Sequence, residues 1–117
     1  YDISKYAIKN AHPEIKKYLH IIKAQDKYPL KNKSVDLLLS LGTLHNLNIY
    51  DLSKAFSEIN RVAKKSYIWV ESFRNEKELF NLQCWALTCE LFFSPDSWKW
   101  IFKKFNYTGD YEFIYFD

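Results

Sequence analysis

Two apolar runs separated by a helix-period stretch constrain this chain most. SVDLLLSL (34–41) and SYIWVESF (66–73) are apolar at successive positions instead of alternate ones. Strands apolar on both sides belong to parallel sheets covered by helices above and below. Between the two runs, Leu52, Ala55, Phe56, Ile59, Val62 and Ala63 recur at helical spacing, and Asn48 with Asp51 three residues later makes a capping-box pattern. Strand, helix and strand in that order imply a right-handed crossover and parallel pairing. The expectation is an α/β fold: a mostly parallel sheet with helices on both faces.

The flanking sequence extends this pattern. Ser4 is placed to cap a helix with Ala7, Ile8 and Ala11 on its core face, disrupted at Pro13. YLHIIKAQ (18–25) reads as a short strand and KYPLKNK (27–33) as a polar loop. Residues Glu76 to Phe92 read as one helix, apolar nearly all round through Leu79, Phe80, Leu82, Trp85, Leu87 and Leu91. Such a helix is expected to be sandwiched or to cover a pocket. Ser94 and Pro95 open another helix with Trp98, Ile101, Phe102 and Phe105 inside, and YEFIYF (111–116) reads as a last, largely buried strand. No repeat, low-complexity tract or Gly/Ser linker divides the 117 residues, so one domain is expected.

Composition removes several classes of function. With 48% hydrophobic and 19% aromatic residues the chain is not a disordered one. Residues 1 to 33 hold eight Lys against three acids, which hints at phosphate or nucleic acid, but solvated Lys on helix surfaces is the preferred account and no nucleic-acid partner is expected. Cys84 and Cys89, five apart in the helical reading, point in different directions and read as free thiols of a reducing compartment. Their spacing to the three His matches no zinc pattern, so no metal is expected. No apolar run is long enough to span a membrane and no signal-peptide pattern is present, so a cytoplasmic location is expected.

In parallel sheets, ligands bind beyond the carboxyl ends of the strands. Four segments are expected to gather there: Asp2 to Ser4, Ala24 to Lys27, Leu41 to Asn46, and Glu71 to Asn75. An acid at a strand end can accept hydrogen bonds from both hydroxyls of a ribose, although capping of a helix is an equally ordinary use of Asp2.

YDISKYAIKNA (1–11), IIKAQDKYPLKNKSVDLLLSLGTLHNL (21–47) and LSKAFSEINRVAKKSYIWVESF (52–73) together closely resemble the class I S-adenosylmethionine-dependent methyltransferases, in a Rossmann-like fold. The resemblance runs from residue 1 to about 73. It implies that Asp2 binds the cofactor's ribose and Ile3 lies against the adenine, with Gln25 and Asp26 at the adenine edge. It sets Leu41, Gly42 and the residues to Leu44 along the cofactor, with His45 and Asn46 facing its reactive end. Three departures stand out. Ala24 takes the place of the family's adenine-contacting Asp, Lys65 and Ser66 replace a Pro-Gly-Gly turn, and no Gly-rich loop exists. Tyr1 aligns with the end of the family's second strand, so a partial domain without the first strand and first helix is expected, binding the cofactor poorly and inactive alone.

Methyl transfer from a sulfonium is an in-line displacement for which a protein supplies alignment and, for some acceptors, a base. His45 and Glu71 are the candidate bases, each with a structural alternative: a hydrogen-bonded His at the strand end, and a Glu paired with Arg74. Arg74 and Asn75 are candidates to hold a carboxylate or phosphate of the acceptor. Asn81 and Trp85 suit a helix covering a small substrate. The expected activity is methyl transfer to a small molecule, a sugar or nucleotide-linked metabolite. The alternative is a non-catalytic module that binds RNA or a partner protein.

Overall fold

The computed structural model describes all of residues 1–117. Two short helices come first, α1 (Lys5–Lys9) and α2 (Pro13–Lys16), followed by strand β1 (Val35–Leu41) and a 3-10 turn at Leu44–Asn46. Helix α3 (Ile49–Val62) then crosses to β2 (Ala63–Glu71), and α4 (Glu76–Trp85) and α5 (Pro95–Lys104) lead to β3 (Asp110–Ile114). The strands form one sheet in the order β1-β2-β3, parallel throughout. This is the α/β arrangement of the sequence reading, with helices flanking a parallel sheet.

Local chemistry explains why α3 forms where it does. The Asn48 side-chain oxygen accepts from the Asp51 N–H at 2.9 Å, and its amide donates to Asp51 Oδ2 at 3.1 Å. At the other end the Lys33 ammonium donates to the carbonyls of Asn60 and Ala63, at 2.7 and 2.9 Å, satisfying acceptors the helix leaves free. The inner face of α3 buries Leu52, Ala55, Phe56, Ile59 and Val62. Phe56 meets Phe102 of α5 at 5.9 Å and Tyr107 at 5.2 Å, so the two helices share one side of the sheet, over Ile68 and Val70 of β2. Each such side chain contributes about 1.5–3 kcal/mol by leaving water.

Five local readings are corrected. YLHIIKAQ does not form a strand; it makes one parallel bridge, Asp2 to Ile21, with the Asp2 N–H donating to His20 O and the Ile22 N–H to Asp2 O, both at 3.1 Å. Helix α1 is capped by Ser4 but buries nothing, Ala7 included. The helix read as Glu76 to Phe92 ends at Trp85, because Ala86 leaves the helical region, the chain turns at Leu87 and Thr88, and an irregular stretch leads into the Ser94–Pro95 cap. Its apolar residues are not sandwiched: Phe80, Trp85 and Leu87 are exposed. Finally, β1 is an edge strand, with Leu37, Leu39 and Leu41 more than half exposed, and β3 shows its first three residues to solvent.

Candidate active site

The turn after β1 is set by Gly42. Its φ of 66° is left-handed, and a Cβ there would lie 2.5 Å from the Trp69 ring, so only glycine lets the chain leave the sheet here. Parallel register places Leu41 beside Trp69, so the ends of β1 and β2 share one edge.

A cavity of about 940 Å3 runs along the free flank of β1 to this edge. Consecutive residues Leu37 to Leu41 line it, which shows that it faces the strand's edge and not one of its faces. Across from β1 stand Asp2, Ile3, Ala24 and Gln25, and at the carboxyl end Thr43, Asn46, Asp51 and Glu90. Among the residues the sequence singled out, Asp2, Ile3, Gln25, Leu41 and Asn46 therefore come together on one wall system. Asp26 and Gly42 stand next to it: the Asp26 carboxylate turns back to the Lys23 N–H at 3.3 Å, and Gly42 donates to the Trp69 carbonyl at 3.2 Å.

The remaining candidates lie elsewhere and are engaged. His45 is buried, and its Nδ1 accepts from the Glu71 N–H at 3.4 Å, which assigns the proton to Nε2. Nε2 stands 3.2 Å from Glu71 Oε2 but without hydrogen-bond alignment, leaving that oxygen buried and unsatisfied. Burial lowers the His45 pKa to about 4 and raises that of Glu71, so the imidazole is neutral at pH 7. Arg74 grips Glu78 through its guanidinium and its backbone N–H, and reaches Asp117 at 2.9 Å. That contact holds Glu78 down at about 2. Asn75 caps α4, accepting from the Glu78 N–H at 3.0 Å. Asn81 donates to the Phe116 carbonyl at 3.1 Å, and the Trp85 ring lies tilted against the Phe116 ring at 5.9 Å. Helix α4 thus attends to the chain's last residues and does not cover the cavity.

What closes the carboxyl edge instead is the irregular strap between α4 and α5. The His45 carbonyl accepts from the N–H groups of Glu90 and Leu91, both at 3.0 Å; Thr88 donates to Asn46 Oδ1 at 3.1 Å, and Ser72 to the Phe93 carbonyl at 2.7 Å. Cys89 is buried beneath this strap, where burial pushes its thiol up to about 11, so it is not a nucleophile. The sequence reading placed Thr43 here, within Leu41 to Leu44, but missed Glu90 and Asp51. For Glu90 a signal was present: Pro95 requires an extended residue before it, and Thr88 and Cys89 are poor helix formers.

The family model for the methyltransferase domain matches residues 1–68, more than half of the chain. The chain belongs to the methyltransferase-domain family. Its members typically use S-adenosylmethionine, and the matched residues include every one of the cofactor-side candidates from Asp2 to Gly42. No curated protein and no solved structure matches the chain. No helix is long and apolar enough to cross a membrane.

The cavity wall fits the adenosine half of this cofactor. Asp2 is exposed and uses only Oδ1 internally, accepting from the Ser4 N–H at 2.7 Å, which leaves Oδ2 free for a ribose hydroxyl. Ile3 presents a bare apolar side chain, 68% exposed, and the Gln25 side chain makes no hydrogen bond within the protein.

Proposed function

We propose that the chain serves S-adenosylmethionine-dependent methyl transfer to a small-molecule acceptor, a sugar or nucleotide-linked metabolite, at the carboxyl edge of the sheet. The observation that carries this reading is the shared cavity of Asp2, Ile3, Gln25 and Leu41, in a chain of methyltransferase family. In this reading the Asp2 carboxylate accepts from the ribose hydroxyls, Ile3 packs on the adenine, and Gln25 and Asp26 meet its edge. Leu41 and Gly42 run beside the cofactor and Asn46 faces its reactive end. When bound, the sulfonium supplies the electrophilic methyl group.

The protein's own part is binding and alignment. His45 contributes by position: its ring and carbonyl tie the ends of β1 and β2 to the strap, fixing Asn46 beside the cavity. The two free thiols suit a reducing compartment, and we place the protein in the cytoplasm.

The test is a titration of isotope-labelled protein with S-adenosylhomocysteine, followed by amide chemical shifts. Shifts are expected at Asp2, Ile3, Gln25 and Leu41. Asp2→Ala removes charge-assisted hydrogen bonds of about 1.5–3 kcal/mol and should weaken binding at least about tenfold. Unchanged affinity in that variant would take Asp2 out of the site.

A further inference from the structure

Three carboxylates line the cavity, and their circumstances differ. Asp2 accepts from the Ser4 N–H, and Asp51 accepts from Asn48 and from Lys54, the latter at 3.2 Å. Glu90 accepts from nothing: its side chain is exposed and takes part in no hydrogen bond or ion pair, while its backbone is pinned to the His45 carbonyl. The strap therefore fixes the backbone that carries a free carboxylate, at the end of the cavity where Thr43 and Asn46 stand. The one cation on the cavity wall, Lys23, comes from the far side, in the segment with Ala24 and Gln25.

We infer that Glu90 selects the methyl acceptor by charge, admitting hydrogen-bond-donating groups that are neutral or cationic, hydroxyl or ammonium, and turning away phosphate and carboxylate. This rests on the methyltransferase reading and narrows it: a sugar or amine fits beside Glu90, and a phosphorylated group does not. A carboxylate is acceptor-only, so a hydroxyl or ammonium donor gains a charge-assisted bond there. An anion meets like charge, and no Arg lines the cavity to offset it. Asn46 is partly engaged there, its Oδ1 accepting from Thr88 at 3.1 Å and its amide donating to the Gly42 carbonyl at 3.4 Å. Glu90 is the carboxylate at that rim with no partner within the protein.

The experiment compares three probes of one shape on the full chain by amide shifts of Asn46, Thr88 and Glu90: methyl glucoside, protonated glucosamine and glucose 6-phosphate. Glucosamine should bind tightest, with glucose 6-phosphate about fivefold weaker than methyl glucoside, the size an exposed charge interaction reaches. The gap should shrink with added salt. Glu90→Gln should erase the order and Glu90→Lys should reverse it; both keep the backbone bonds of the strap, so the fold survives. Equal binding of the three probes, an order unchanged in Glu90→Gln, or no shift at this rim with any probe would overturn the inference. The cofactor reading is scored separately in the same samples: S-adenosylhomocysteine shifts at Asp2, Ile3 and Gln25 can fail while the charge order holds, and the reverse.

Discussion

Before Tyr28 no residue of the chain is buried, whereas α3 alone buries Leu52, Ala55, Phe56, Ile59 and Val62. The first segment contains two capped helices and a parallel bridge, so its backbone is well provided for. What it lacks is side-chain burial, and burial supplies most of the stability of short helices. The cavity lies between these two regimes. Its β1 wall is fixed by the core, and its Asp2 wall is held by two backbone hydrogen bonds, by Ile22 and Ala24 against the core, and by Tyr1 resting 6.1 Å from the Tyr28 ring. Elements of low local stability are where ligand-induced ordering is to be expected.

The sharpest way to expose the contrast is to empty the core side. Phe56→Ala removes a ring at 0% exposure that meets Phe102, Phe105 and Tyr107, and should cost about 3–5 kcal/mol in urea denaturation. A loss under about 1 kcal/mol would mean that this cluster is not the core.

Acid comes next. Because burial lowers the His45 pKa from 6.5 to about 4, the unfolded chain binds a proton in that window and the folded one does not. Stability should therefore fall as pH drops from 6.5 toward 4, by roughly 3 kcal/mol at 1.36 kcal/mol per unit. Glu71, with its carboxyl raised by burial, has the opposite sign: its contribution is lost as pH rises through the raised value. His45→Gln should remove the loss between pH 6.5 and 4, and an unaltered acid limb in that variant would assign the proton elsewhere.

A smaller effect probes the join between the two regions. The Tyr28 hydroxyl donates to the Ala24 carbonyl at 2.8 Å, and Tyr28→Phe deletes that bond for about 1 kcal/mol. Hydrogen exchange in this variant should quicken at Ile22 to Gln25 while β2 stays protected; uniform quickening would make the two regions one cooperative unit. Smallest of all, Tyr6→Ala, at a ring 78% exposed on α1, should change stability by less than about 0.5 kcal/mol. A larger loss in thermal denaturation would show that the first segment is packed after all.

Where sequence reading succeeded, one physical signal dominated. The Asn48 cap and the spacing from Leu52 to Val62 define α3 with no help from distant contacts, and the apolar runs on either side follow as parallel strands. Asp2, Ile3, Gln25 and Leu41 do come together on the cavity wall, although of these only Leu41 ends a strand; the segment of Gln25 is tied to Asp2 by a single parallel bridge. Side-chain engagement was not legible. Glu78 stands four residues after Arg74, a spacing that suits an ion pair, but nothing local says that Arg74 will also reach Asp117 or that Asn81 will be spent on Phe116. Apolar content misled in two places: Leu79 to Leu91 suggested one long covered helix, and SVDLLLSL an interior strand, because composition records what can be buried and not what lies opposite it.

The bare flank of β1 has one more consequence, in solution behaviour. A strand whose outer N–H and C=O groups have no neighbouring strand, with Leu37, Leu39 and Leu41 in a row beside them, is a template on which another extended chain can grow. Charge is the usual deterrent, and here Asp36 is the one ionisable residue of the strand, its carboxylate already turned to Lys64 at 2.8 Å. Crowding such molecules together favours edge-to-edge pairing along the flank that also borders the cavity.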